Sequence, residues 1–419
     1  MRIFSTTESP ERREYAEDPG RISVGPIQGG SSLLRSVAIW LGMPTRPDKR
    51  AIRISRAEST FYDSNWSPVT VGPNDSLLET PRMTTSLLER IELATRCRDV
   101  PAMTRLGSQL LSGEDDTFDP WRGAELLTLA ARDGGAEAAA LMAVLSGAGV
   151  CRTQSWDDAL DYLQQASERG WANAQAQLEL LCADGDLTKS AGGIPSREMH
   201  TWRRLREAVR VADWIDAPAR DVISETPRIR KIDGFASKAV CRWLIERARE
   251  RLEPARIYSS LGGGPSITLS RTNTETDFNI VQSDLVLLLV RARIAAATGL
   301  PPSVMELTKV LHYSVGERFD LHFDFIDPAV PDFANELAAR GQRLATFLVY
   351  LNDDYEGGET EFPRVALRHR GLMGSALYFA NVDSRGEPDP LTLHAGLAPT
   401  GGEKWLLSQW IRSRTPVGR

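Results

Sequence analysis

Between residues 84 and 190 the chain repeats itself, and this constrains its architecture more than any other feature. Trp121 aligns with Trp156, Ala124 with Ala159, Ala131 with Ala166, Gly135 with Gly170, Ala139 with Ala174 and Leu145 with Leu180, each at an offset of 35. A weaker copy precedes them, where Leu111-Ser112-Gly113 echoes Leu145-Ser146-Gly147 at an offset of 34. The stretch is rich in Ala and Leu at helical spacing. Such a period, with small residues at fixed places, predicts stacked helical hairpins. Small side chains let helices approach closely, and glycines end the first helix of each hairpin.

The segment ALDYLQQASERGWANAQAQLELL, residues 159–181, resembles Sel1-like repeats, relatives of the tetratricopeptide repeat. The resemblance implies a solenoid. Such a solenoid either binds a protein or peptide or acts as a structural adaptor, and the sequence leaves both open.

The rest of the chain divides around this region. Residues 1–83 are weakly patterned and dominated by Pro, Ser, Gly and charged residues. Within them, residues 32–43 place Leu33, Val37, Trp40 and Leu41 on one helical face, a local helix packed on the next domain. Residues 191–226 read as a charged helical linker, preceded by Gly192, Gly193 and Pro195. Residues 227–419 form the last domain. It opens with a short strand and turn, then a helix N-capped by Ser237, then a second helix from about 283 to 298 that stops at Gly299-Leu300-Pro301. Short strands follow near 305–313, 320–325, 344–351, 360–362, 375–380, 391–394 and 404–412, punctuated by Asn352-Asp353-Asp354, Gly357-Gly358 and Gly401-Gly402. Helices followed by many short strands suggest a small β-barrel or double-sheet jelly roll with buttressing helices, and so an α+β multidomain chain.

Charge and cysteine usage narrow the setting. The net charge of -6 is spread along the chain, which argues against nucleic acid as a partner. Cys97, Cys151, Cys182 and Cys241 lie far apart with no CxxC, so free thiols in a reducing compartment are expected. The longest aliphatic run, Leu285 to Val290, is too short to span a bilayer, and the N-terminus lacks an apolar signal region. A cytoplasmic protein without a membrane partner is the expectation; the oligomeric state is not legible.

The chemistry concentrates in the last domain. His322-Phe323-Asp324 is an H-x-D on an expected strand, where alternation sends His322 and Asp324 to one face. His394 follows 70 residues after Asp324, at the end of another expected strand. Two histidines and one carboxylate make the facial triad of non-haem Fe(II) oxygenases, with three positions left open. Lys404 comes ten residues after His394. A metal-chelating 2-oxoacid keeps its far carboxylate deep in the barrel, and a buried ammonium would pair with it.

The surrounding motifs, LHYSVGERFDLHFDF (311–325), RLATFLVYLNDDYEGGETEFP (343–363), GSALYFANVD (374–383) and TLHAGLAPTGGEKWLLSQW (392–410), resemble those of prolyl 4-hydroxylases. The resemblance spans about 227–414. It implies a double-stranded β-helix (jelly-roll) dioxygenase domain. It also implies His322, Asp324 and His394 as iron ligands, Lys404 on the distal carboxylate of 2-oxoglutarate, and Tyr313 lining the cosubstrate pocket. Arg271-Thr272-Asn273 resembles the family's mobile loop over substrate, with Arg271 as a substrate contact. Fe(II), 2-oxoglutarate and O2 would be used, with ascorbate as reductant. One residue departs from the pattern: Phe319 stands where many relatives have Tyr, which removes a hydroxyl near the site.

Among the other histidines, His312 should point away from the iron, while His369 lies in a basic loop and His200 in the linker. Trp405 and Gly357-Gly358-Glu359-Thr360 are assigned to the fold. The leading reading is hydroxylation of a prolyl residue in a protein or peptide recruited by the helical repeats, releasing succinate and CO2. A free amino acid or other small molecule as substrate is the first alternative. An inactive oxygenase serving as a scaffold is the second.

Overall fold

The computed structural model describes residues 86–183, 199–258, 265–266 and 269–415. The segment 1–83 and its amphipathic stretch lie outside these residues. The first described part is helical: α1 (Leu87–Arg96), α2 (Val100–Ser112), α3 (Pro120–Arg132), α4 (Ala136–Ala148), α5 (Trp156–Glu168) and α6 (Ala172–Ala183). Side-chain caps start most of them. Ser86 and Glu89 form a capping box before α1, and Asp99, Asp119 and Ser155 each accept a backbone N–H at the start of α2, α3 and α5.

The hairpins α1–α2, α3–α4 and α5–α6 recur with a period of 36, not 35. Asp119 and Ser155 are equivalent N-caps, Gly113 and Gly149 equivalent left-handed ends, and Gly134 and Gly170 equivalent left-handed turns, each pair 36 apart. The buried positions agree, since Gly123, Leu127 and Ala130 correspond to Ala159, Leu163 and Ala166. A one-residue slip rotates a helix by about 100°. Ala-rich sequences align almost equally well either way, because few of their side chains discriminate between faces. The expectation of close approach holds between α2 and α3: a Cβ on Gly123 would stand 2.8 Å from the Gly107 carbonyl oxygen.

After α7 (Met199–Ala208) and α8 (Val211–Ile215), β1 (Asp221–Glu225) pairs with β2 (Arg228–Ile232). The sheet therefore begins inside the stretch read as linker. Strand β1 is an edge strand, largely exposed and without apolar alternation, so it leaves no sequence signal. There follow α9 (Lys238–Arg249), β3 (Glu253–Pro254), β4 (Thr274–Phe278), α10 (Leu285–Thr298), β5 (Thr308–Tyr313), β6 (Phe319–His322), α11 (Ala334–Arg340) and β7 (Arg343–Tyr350). The chain closes with β8 (Thr360–Phe362), β9 (Leu367–His369), β10 (Ala376–Ala380), β11 (His394–Gly396) and β12 (Lys404–Arg412).

Beside two short two-stranded pairings, two larger antiparallel sheets result. One runs β1-β2-β10-β7-β12-β5-β4-β3 and the other β9-β8-β11-β6. Between them lies a compact apolar cluster that includes Leu311, Tyr313, Leu348, Tyr350, Phe362 and Phe379. Helix α10 joins this β-rich region to the hairpins. Its first six residues, Leu285 to Val290, are all apolar and all buried. Towards the hairpins, its Leu285 N–H donates to Gln177 Oε1 at 2.9 Å, and Leu285 and Leu288 close on Gly147. Towards the strands, Arg291 donates to Thr308 Oγ1 at 2.8 Å and Gln409 Oε1 at 3.0 Å. One continuous buried core thus runs from the hairpins through α10 to β7 and β12.

A buried ion network ties β12 to the loop before β5. Glu306 accepts from Arg343 Nε at 2.7 Å and from Arg412, whose side chain is 1% exposed. Burial by itself would raise the Glu306 carboxyl, but the two guanidinium groups outweigh it and hold it below the ordinary range. Glu306→Ala strands a buried guanidinium and is expected to cost about 3–5 kcal/mol in urea unfolding. A carboxyl depressed in the folded state stabilises above its unfolded pKa. In wild type this contribution is therefore full at neutral pH and fades as pH falls through the ordinary carboxylate range and below. The loss on acidification should be smaller in Glu306→Ala.

Candidate metal centre

The end of β6 and the start of β11 lie side by side, and His322 pairs in register with His394. His394 opens its strand, because residues Pro390–Thr392 form a 3-10 turn where a strand was expected. Asp324 lies in a bend two residues past the end of β6, not on the strand where it was expected. The three side chains still converge, with one ligand atom from each lying within 4.8 Å of the others.

Local hydrogen bonds aim both imidazoles. His322 Nδ1 sits 2.8 Å from the Asp320 carbonyl oxygen, and His394 Nδ1 sits 2.9 Å from that of Thr392. A carbonyl can only accept, so Nδ1 carries the hydrogen and Nε2 keeps its lone pair. Those Nε2 atoms stand 3.6 Å and 3.5 Å from the two Asp324 oxygens. Burial, then the neighbouring His394, pushes His322 down to about 3. Burial would raise Asp324, but His394, His322 and the Thr346 hydroxyl outweigh it and hold the carboxyl below its usual range. At neutral pH His322 is thus a neutral nitrogen donor and Asp324 an anionic oxygen donor, a set that suits Fe(II).

Across the same cavity stands Lys404, opposite Tyr313 in the β12–β5 register. It is 1% exposed, donates to the Gly358 carbonyl oxygen at 2.7 Å, and makes no ion pair among the described residues. Burial lowers its ammonium to about 8. The Tyr313 hydroxyl, pushed up to about 12 by burial, remains a donor. Thr360 shares a 2.9 Å hydrogen bond with the Tyr350 hydroxyl at this end of the cavity. A buried cation lacking an acid, facing two histidines and a carboxylate, fits a dicarboxylic cosubstrate that chelates a metal.

Comparison with known proteins points the same way. The 2OG-Fe(II) oxygenase superfamily profile matches residues 308–412. The chain is similar to a probable prolyl 4-hydroxylase 10 of Arabidopsis thaliana, 31% identical over 213 residues, covering 46% of this chain and 71% of the relative. The chain belongs to the prolyl 4-hydroxylase family. It is similar as well to the human prolyl 4-hydroxylase subunit alpha-1, 29% identical over 257 residues, covering 61% of this chain and 45% of that subunit. Among solved structures it is similar to a viral collagen prolyl hydroxylase from Paramecium bursaria Chlorella virus-1 in complex with 2OG. That match is 28% identical with a TM-score of 0.34, covering 44% of this chain and 94% of that one. The protein is accordingly a 2-oxoglutarate-dependent dioxygenase that uses Fe(II), 2-oxoglutarate and O2.

The other expected residues fall as follows. Arg271 does line the cavity, but it is 4% exposed and fixed. It pairs with Glu275, donates to Asn273 Oδ1 at 3.1 Å and lies 4.6 Å from the Phe319 ring centroid. In this arrangement Arg271 is a clamped arginine on the cavity wall. Phe319 in turn stacks on His322, with ring centroids 3.5 Å apart. His312 turns from the cavity to Thr274 and Trp405, and the His200 side chain is outside those described.

Thr360, assigned to the fold, lines the cavity as well, and Gly358 offers its carbonyl to Lys404. Left-handed backbone at Gly357 (φ 64) and Gly358 (φ 66) accompanies the turn whose carbonyl meets Lys404. Thr346 and Asn381 were missed. Thr346 is a small polar residue set between the buried Ala345 and Phe347 of β7, and a polar residue inside a buried apolar run was the available signal.

Proposed function

We propose that His322, Asp324 and His394 hold Fe(II), that Lys404 and Tyr313 hold 2-oxoglutarate, and that the enzyme hydroxylates a prolyl residue in a protein or peptide. One observation carries the site reading: the buried ammonium of Lys404, without an ion pair among the described residues, shares a cavity with the triad. When bound, iron and cosubstrate activate O2 for insertion into a C–H bond, releasing succinate and CO2. The chain's own residues orient and enclose. The carbonyls of Asp320 and Thr392 set the imidazole tautomers, and Lys404 anchors the dicarboxylate. Phe319 and Arg271 wall the metal side from water.

The peptide reading draws on the relatives and on the groove that opens onto His322 and Asp324. Leu321, Phe323, Phe325, Phe333 and Trp410 line it beside the charged Arg256, Lys309 and Glu336. The hairpins, which resemble Sel1-like repeats in sequence, would recruit the substrate protein, and ascorbate would serve as reductant. The four free cysteines support a cytoplasmic setting. The test is Fe(II)-dependent succinate formation with proline-containing peptides, read together with a gain of one oxygen on proline by mass spectrometry. Turnover of a free amino acid but of no peptide or protein would overturn the substrate assignment.

A further inference from the structure

Behind the triad runs a buried chain of hydrogen bonds that no sequence motif accounts for. Thr346 is 1% exposed and Asn381 0%. The Thr346 hydroxyl donates to Asp324 Oδ2 at 2.6 Å, and Asn381 Nδ2 donates to Thr346 Oγ1 at 3.0 Å. A hydroxyl has one hydrogen to give. With its oxygen accepting from the amide, Thr346 gives that hydrogen to the carboxylate. The opposite amide orientation would draw the hydroxyl hydrogen to Asn381 and leave two acceptors 2.6 Å apart at Asp324. The carboxylate therefore selects the orientation.

Asn381 is also pinned by its backbone. Its N–H donates to the Leu344 carbonyl at 2.8 Å, and its carbonyl accepts from Asp389 at 3.0 Å. Its side-chain Oδ1 is buried and takes no hydrogen bond among the described residues. An unsatisfied buried acceptor is a cost to the fold. It is consistent with an amide placed for its donor rather than for both of its ends.

We propose that Thr346 and Asn381 are positioning residues of the metal centre, a two-step relay that fixes the rotation of the Asp324 carboxylate towards Fe(II). This rests on the reading of His322, Asp324 and His394 as ligands. The relay acts through Asp324 and touches neither substrate nor cosubstrate.

The test is Mn(II) titration of the metal-free full-length chain, followed by electron paramagnetic resonance, with no turnover required. Loss of an outer hydrogen-bond partner of a metal ligand weakens affinity by roughly 10–100-fold, and Thr346→Val is expected in that range. Thr346→Ser restores the hydroxyl and should bind within about threefold of wild type, an allowance well inside that loss. Asn381→Asp offers the hydroxyl a competing acceptor and should weaken binding as Thr346→Val does. Should Thr346→Val fail to fold by circular dichroism, Asn381→Leu removes the donor at similar volume and is read in the same way. If His394→Ala loses Mn(II) while every folded relay variant matches wild type, the relay is overturned. If His394→Ala binds as well as wild type, the ligand assignment fails instead, and the relay with it.

Discussion

His394→Ala is expected to leave the purified chain without stoichiometric iron and without Fe(II)-dependent succinate formation. The reason is the sparseness of the donor set. The protein offers three ligand atoms within 4.8 Å, and two of them are imidazole nitrogens already aimed by backbone carbonyls. Removing one leaves a nitrogen and a carboxylate, too few for tight Fe(II) binding in competition with water. The effect should exceed the roughly 10–100-fold produced by losing only an outer partner of a ligand. It should also be separable from unfolding, because His394 lies at the start of a three-residue strand, and its ring rests on Phe362 and Phe379 rather than holding the sheet together. Elemental analysis and a Mn(II) titration of folded protein give the answer. Equal metal binding by His394→Ala and wild type would remove His394 from the site.

Parts of this site could be read from the chain and parts could not, for different physical reasons. The histidines and Asp324 carry rare chemistry, and a short motif preserves their spacing even where the element boundaries move. Asp324 left its expected strand and His394 changed strand ends, yet both reached the metal centre. Lys404 could be read from its place ten residues after His394, at the start of the next long strand. The repeat was legible as a period, but its register slipped by one because Ala and Leu recur on neighbouring faces.

Partners invisible to local pattern were lost. Arg271 is fixed by Glu275 four residues along the chain and by stacking on Phe319 from a distant strand. The relay joins Thr346, Asn381 and Asp324 from three separate segments. The continuity of the core through α10 was hidden as well. A helix whose first six residues are all apolar shows that this stretch is buried on all sides, not what buries it.

Lys404→Ala should raise the dissociation constant of 2-oxoglutarate by about 100-fold, from the loss of a charge-assisted bond worth up to about 3 kcal/mol. Mn(II) binding should stay close to wild type, because Lys404 is not among the three residues whose ligand atoms converge. The pH dependence is the sharper readout. Burial holds the free ammonium at about 8. Pairing with a carboxylate raises it again. Below pH 8 the site is charged before the cosubstrate arrives. Above it, binding must take up a proton, and affinity should fall by about tenfold per pH unit. Calorimetry at pH 9 in buffers of different ionisation enthalpy should therefore show proton uptake in wild type and none in Lys404→Ala. Affinity that stays flat from about pH 7 to 9.5, a window set on either side of the lysine, would mean that another group holds the distal carboxylate.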